Sequence, residues 1–288
     1  MRRSVSFLAA LLVLLSASVL CFAESHSVLP EVRHKPRPDC PELKVYYMSK
    51  LAGRAYEYCD DAYMSLSEFG ELYGVSIRTN VTDTGFTAVA EGLDIHADAD
   101  SNYLTVNCRY IFLPDNYLLC EDEVYLPLDA LSRIFGVTAL AGEGRLDIST
   151  KTCRLITGGE DYYKLNMSAD YQYWLPRIIT IETQDEPLAG KIGVGNVILN
   201  RVKSSRYPDS IYKVLYDNNT GVQFAPAITG ALKMEGDDDG WLAACLCFEG
   251  YNTVGDSFFF ANPENDANYW FKTNCILITT IGRHEFYK

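Results

Sequence analysis

The stretch Trp174-Leu175-Pro176-Arg177-Ile178-Ile179-Thr180-Ile181-Glu182-Thr183-Gln184-Asp185-Glu186-Pro187 decides how the second half of the chain folds. Leu175, Ile178, Ile179 and Glu182 recur at spacings of three and four, which predicts a short helix over 174–182 with all four on one face. Glu182 therefore continues an apolar stripe. A carboxylate on the buried side of a helix is costly to ionise, and desolvation lifts its pKa toward the range where it can act as a general acid near neutral pH. The same spacing also fits a splayed helix end with Glu182 in water.

Working outward from that helix, Pro187 pushes Glu186 out of the helical region and suits the first turn of a second helix. That helix runs through Leu188-Ala189-Gly190-Lys191-Ile192-Gly193-Val194-Gly195-Asn196-Val197-Ile198-Leu199-Asn200-Arg201-Val202, with Leu188, Ile192, Leu199 and Val202 as its apolar stripe. Gly193 and Gly195 permit close helix contact at a cost in helix propensity. They do not form a nucleotide loop, because no strand leads into them and the third glycine is missing. Glu186 reads either as a cap of the second helix or as a group beside the site. The run Asp237-Asp238-Asp239 reads as a solvated helix start before Trp241.

The first half has a different texture. Tyr63-Met64-Ser65-Leu66 followed by Phe69, Leu72, Tyr73, Gly74 and Val75 aligns without gaps, at an offset of 62, to Tyr125-Leu126-Pro127-Leu128, Leu131, Ile134, Phe135, Gly136 and Val137. Each copy reads as a small β-α-β unit, its helix closed by a glycine in the left-handed conformation. Between the copies, Gly92–His96 and Tyr103–Asn107 alternate as strands around the turn Asp98-Ala99-Asp100-Ser101-Asn102.

The N-terminus supplies Arg2 and Arg3, an apolar run from Phe7 to Leu20, and Cys21-Phe22-Ala23, a small-x-small cleavage pattern. Residues 1–23 are thus expected to be a signal peptide, and no later segment reads as a stable membrane anchor. Residues 24–44, with four prolines, read as an extended linker, and 45–150 as the repeat module. A second linker is expected over 151–169, around Thr157-Gly158-Gly159, and the second domain over 170–288. Removing Arg2 and Arg3 takes the formal net charge from −13 to −15. That balance argues against nucleic acid, whose phosphates demand basic stripes, and offers no polybasic membrane patch. Eight cysteines remain after Cys21 leaves, an even number that export permits to pair. Free thiols and a few disulfides are both open, and no metal-ligand spacing occurs.

Two resemblances follow from these residues. The run Ile181–Pro187, with Gly190 and Gly193–Val202, resembles the pattern "AEARGEPxxGQVAVGAVVLNRV" of the SleB-type cell-wall hydrolase family. Gln223-Phe224-Ala225-Pro226 resembles its "QFSP", Phe259-Phe260-Ala261-Asn262-Pro263 its "FYNP", and Ile281–Tyr287 its "IGNHVFY". The repeat module resembles the copper amine oxidase N-terminal-like domain, a name that does not imply copper. His96 is the only histidine in the folded part of that half.

The resemblances imply an α+β protein in which the N-terminal β-α-β repeat module is joined to a mainly helical, lysozyme-like hydrolase domain. They also imply cleavage of peptidoglycan glycan strands between N-acetylmuramic acid and N-acetylglucosamine. The family's catalytic glutamate falls on Glu182. No cofactor or metal is expected. Substrate-binding candidates from or near the matching segments are Glu186, Asn200, Gln223, Phe224, Asn262 and Trp270. For Phe224 and Trp270 core packing competes with sugar stacking, Asn200 equally ties helix ends together, and His284 suits a structural hydrogen bond or substrate. The family arginine and serine are replaced by Gln184 and Ala225. The expected setting is secretion to the cell wall or spore envelope, with a wall polymer or a protein as ligand of the repeat module. The alternatives are an N-acetylmuramoyl-L-alanine amidase and a wall-binding protein without activity.

Overall fold

The computed structural model describes residues 40–99, 101–120, 123–148, 152–159, 161–219, 223–263 and 269–288. The expected signal peptide, and all of the first linker up to residue 39, lie outside the described residues.

The first half comprises β1 (Glu42–Tyr47), β2 (Lys50–Tyr58), β3 (Asp61–Ser65), α1 (Leu66–Glu71), β4 (Arg78–Thr82), β5 (Gly85–Ala90), β6 (Leu93–Asp98), β7 (Tyr103–Val106), β8 (Arg109–Phe112), β9 (Leu118–Cys120), β10 (Glu123–Pro127), α2 (Leu128–Phe135), β11 (Ala139–Gly142) and β12 (Arg145–Ile148). One sheet has the order β11-β12-β1-β2-β3-β10-β9, and β4 to β8 form a second as a consecutive meander. The two repeat copies meet in the first sheet. Their equivalent strands β3 and β10 pair antiparallel, with Met64 opposite Leu126, its own counterpart at the offset of 62. The repeat is therefore a local two-fold, and the equivalent residues Tyr73 and Phe135 stack across it with ring centroids 6.1 Å apart. Gly74 and Gly136 end the repeat helices with φ of 72° and 61°, the left-handed geometry that glycine adopts without a Cβ penalty.

β1 starts at Glu42, three residues inside the stretch read as extended chain. Its hairpin to β2 turns on Met48-Ser49, and the next turns on Cys59-Asp60, all four residues with positive φ. In the meander, β6 alternates between buried Leu93, Ile95 and Ala97 and exposed neighbours, as a sheet with one wet face requires.

The second half comprises α3 (Tyr162–Asn166), α4 (Ala169–Glu182), α5 (Leu188–Lys203), α6 (Ile211–Leu215), α7 (Ala225–Thr229), α8 (Asp238–Phe248), β13 (Phe259–Ala261), α9 (Tyr269–Asn274), β14 (Leu277–Ile281) and β15 (His284–Tyr287). The mixed α+β class expected from the sequence is what the structure has. α5 is its centre, buried on nearly every face from Gly190 to Leu199. A Cβ on Gly193 would come within 2.7 Å of Val254 and 2.9 Å of Phe286, and one on Gly195 within 2.7 Å of the Cys247 sulfur. Both glycines are thus required by close packing. α4 is longer than expected: Ser168 caps it by accepting from the Tyr171 N–H, and Pro176 lies within it rather than near its start.

The stretch expected as a second linker is packed against both halves. The Arg154 and Ile156 N–H groups donate to the Phe135 and Ile134 carbonyls, α3 occupies residues 162–166, and the buried Tyr163 stacks on Tyr110 of β8. Buried apolar side chains of the two halves form one continuous cluster. Among the described residues no disulfide joins the eight cysteines from Cys40 onward. Among the described residues no helix is long and apolar enough to cross a membrane.

Candidate active site

Glu182 is the last residue of α4. The chain leaves the helix at Thr183, whose buried hydroxyl donates back to the Ile179 carbonyl at 2.6 Å. One turn earlier, the Thr180 hydroxyl and Asp237 are hydrogen-bonded at 2.8 Å, and the same Asp237 oxygen accepts from the Gly240 N–H at the start of α8. Asp237 is thus a helix cap that also clasps α4, and Asp239 pairs with the buried Lys191 at 3.2 Å. Neither faces the site.

The Glu182 carboxyl opens into a cavity of about 250 Å³ lined by Glu182, Arg201, Gln223, Phe224, Phe259, Phe260, Ala261, Asn262, Phe271 and His284. A neighbouring cavity of about 240 Å³ shares Glu182, Asn262 and His284 with the first and continues over Asp185, Glu186 and Arg283. Burial pushes the Glu182 carboxyl from the ordinary glutamate value up to about 7. Its place at a helix C-terminus, where the macrodipole is negative, works in the same direction. No hydrogen bond or ion pair of the described residues reaches it.

Arg201 shares the larger cavity yet makes no ion pair with Glu182. It is 4% exposed, its Nε donates to the Phe258 carbonyl at 2.7 Å and its Nη2 to the Gln223 amide oxygen at 3.3 Å. Desolvation lowers its pKa, and the rings of Tyr207, Phe224 and Phe259 lie 5.2–5.3 Å from its guanidinium. An arginine braced in this way leaves Glu182 free to hold its proton.

Glu186, four residues after Glu182, has a cationic neighbour. Its side chain is 3% exposed, and it accepts from the Arg283 backbone N–H at 3.0 Å and Arg283 Nε at 3.3 Å. The contact depends on Gly282, because a Cβ there would sit 1.9 Å from the Glu186 oxygen.

Of the residues singled out in the sequence, the structure brings Glu182, Gln223, Phe224 and Asn262 to one cavity and Glu186 to the edge of the adjoining one. Asn200 is not there. Its amide donates to the Gly255 and Ser257 carbonyls at 2.8 and 2.9 Å, because one residue along a helix turns the side chain by about 100° and it is Arg201 that points inward. Trp270 is 55% exposed and is not a lining residue. Its neighbour Phe271 occupies that wall, and Trp270 packs edge-on against Phe271 at 5.3 Å. Phe259, Phe260 and Phe271 were missed. The triple Phe258-Phe259-Phe260 was the available signal, since three adjacent aromatics in a short strand cannot all face the core. Among the described residues no three His, Cys, Asp or Glu side chains converge as a metal site.

Residues 185–287 match the Cell Wall Hydrolase family, and residues 48–147 match the Copper amine oxidase N-terminal domain. The C-terminal domain is a cell wall hydrolase domain. Glu182 lies three residues before the matched stretch of that domain. The chain is similar to a spore cortex-lytic enzyme of Oceanobacillus iheyensis, 29% identical over 107 residues, 37% of this chain and 37% of that protein. It is also similar to a spore cortex-lytic enzyme of Bacillus cereus, 27% identical over 107 residues, 37% of this chain and 40% of that protein. The match therefore spans well under half the length of these curated relatives. The solved catalytic domain of the Bacillus cereus SleB protein aligns at 24% identity and a TM-score of 0.38, over 42% of this chain and 91% of that one.

Proposed function

We propose that the hydrolase domain cleaves peptidoglycan glycan strands at the bond between N-acetylmuramic acid and N-acetylglucosamine, as a lytic transglycosylase. Glu182 gives its proton to the glycosidic oxygen as the C1–O bond breaks. The resulting carboxylate then takes the proton from the sugar's 6-hydroxyl as that oxygen closes on C1, giving a 1,6-anhydro product and restoring the acid. Binding falls to the aromatic walls of Phe224, Phe259 and Phe271 and to the amides of Gln223 and Asn262, with the relatives' cortex-lytic role as the model for the substrate.

The observation that carries this reading is the Glu182 carboxyl itself, raised to about 7 by burial in a cavity where it is the only acid among the described residues. An acid with a pKa near the working pH is still protonated when substrate binds, and its conjugate base is strong enough to accept a proton afterwards. A glycosidase with two working carboxylates needs the second at about 5 Å or at roughly 6.5–9.5 Å. Glu186, a buried carboxylate of the adjoining cavity, is occupied by Arg283, which favours a mechanism that recycles one acid. Export to the wall or spore envelope belongs to the same proposal, resting on the N-terminal Arg2-Arg3, apolar run and cleavage pattern, as does a wall polymer as ligand of the repeat module.

Mass spectrometry of purified peptidoglycan digested with the protein tests the proposal. Anhydro-muropeptides are the expected product. Free stem peptides would assign an amidase instead, and no product would leave a wall-binding role.

A further inference from the structure

His284 opens β15 and, with Glu182 and Asn262, is one of the three residues common to both cavities. Its ring stands edge-on to Phe260 at 5.3 Å and Phe286 at 6.2 Å, and its side chain is 11% exposed. Its two nitrogens are in different situations. Nδ1 is sealed from solvent and makes no hydrogen bond, with Glu186 Oε1 3.9 Å away. Nε2 also makes no hydrogen bond among the described residues but, unlike Nδ1, is not sealed.

We propose that His284 is a substrate-contacting hydrogen-bond acceptor of the Glu182 cavity, fixed in the Nδ1–H tautomer by Glu186. The ligand is a donor on the glycan, a sugar hydroxyl or an acetamido N–H. The inference rests on the glycan reading of this cavity.

The tautomer follows from charge. A neutral imidazole carries one proton, and which nitrogen holds it is set by the neighbour of the other. Glu186 is a carboxylate fixed by two N–H donors of Arg283, and each carboxylate oxygen can accept more than one hydrogen bond. Its Oε1 attracts a proton on Nδ1 and repels a lone pair there, so the lone pair belongs to Nε2. Burial drives the His284 pKa below the ordinary histidine value, against the opposing pull of Glu186 and with the help of the Arg283 charge. The ring is thus neutral at pH 7, and its accessible nitrogen accepts.

Contacts of this kind are long in an empty site and tighten when substrate docks. Ligand binding at Nε2 makes Nδ1 a better donor and closes the gap to Glu186. Glu186 is therefore a positioning residue that acts through His284, not a sugar ligand itself.

Imidazole 15N NMR on the full chain at pH 7.5 tests the tautomer, with His284→Phe to assign the signal. The expected pattern is a protonated Nδ1 and a bare Nε2 in the unmodified protein, lost in Glu186→Gln. A protonated Nε2 would overturn the proposal. Titrating a disaccharide muropeptide into Glu182→Gln, which keeps His284 and Glu186, is expected to shift Nε2, and an unmoved Nε2 would also overturn it. In kinetics on soluble glycan fragments, His284→Phe is expected to lower kcat/KM at least tenfold with its melting curve unchanged, while an undiminished kcat/KM contradicts the proposal. The NMR arms need no turnover. A protein that makes no product would refute the transglycosylase reading while these arms still decide the role of His284.

Discussion

α4 and α8 run antiparallel, and their two ends treat a glutamate in opposite ways. At one end Thr180 and Asp237 join the finish of α4 to the start of α8, and at the other Tyr171 and Phe248 pack at 6.2 Å. Glu249, just past α8, receives Nε and Nη2 of Arg109 at 2.9 and 2.5 Å and the Tyr163 hydroxyl at 3.3 Å. Its backbone carbonyl also accepts from Arg133. Arg109 belongs to the repeat module and Tyr163 to α3, so this glutamate joins the two halves. Glu182, at the far end, is given no cation although Arg201 lines the same cavity. A carboxylate that holds parts together is surrounded by donors. One that must exchange a proton is desolvated and left without a counter-charge.

The largest change expected from breaking this contrast is at the docking end. Arg109→Ala strands Glu249, whose side chain is 7% exposed. Removing one member of a buried pair costs about 3–5 kcal/mol, and because Arg109 itself is 22% exposed the expected loss is near about 3 kcal/mol. Urea titration of the variant against the unmodified chain checks it.

At the other end the signature is pH. The folded-state pKa of Glu182 is raised, so the folded protein holds a proton that the unfolded chain releases between the ordinary value of 4.5 and about 7. Stability therefore falls as pH rises through that window and is flat, for this group, above it. The full shift corresponds to at most about 3 kcal/mol, reduced by whatever water reaches the carboxyl. Denaturation midpoints across pH 4–8 are expected to show this slope in the unmodified protein and to lose it in Glu182→Gln. A common slope in both proteins would contradict the assignment.

The smallest effect is at Asp237. Asp237→Ala removes a helix cap, worth about 1 kcal/mol, together with the clasp on Thr180. A modest drop in melting temperature is expected, with a few-fold loss of turnover as the end of α4 loosens.

The parts of this architecture legible in the sequence are those with a period or a forced local geometry. The offset of 62 pairs residues that lie opposite one another across β3 and β10. The glycines of α5 read correctly as close-packing positions because nothing else explains them inside a helix. The hairpins on Met48-Ser49 and Cys59-Asp60 were not legible, since of the four only Asp60 is of a type enriched at positive φ, and neither turn contains glycine or asparagine. α3 is too short to show periodicity and is held by Tyr163, whose hydroxyl accepts from the Tyr110 N–H. At the site, the family pattern marked Asn200-Arg201 as a unit but could not say which of two adjacent side chains turns inward. That depends on the rotation of α5 against β13, a tertiary fact.

The central claim is that Glu182 carries the chemistry. Its most direct test is Glu182→Gln on purified peptidoglycan, with product release followed by mass spectrometry and folding checked by thermal melting. Removing a general acid lowers the rate by about 10²–10⁴-fold, so the prediction is a folded protein whose anhydro-muropeptide yield falls by that factor. Retained turnover in the folded variant would contradict the account.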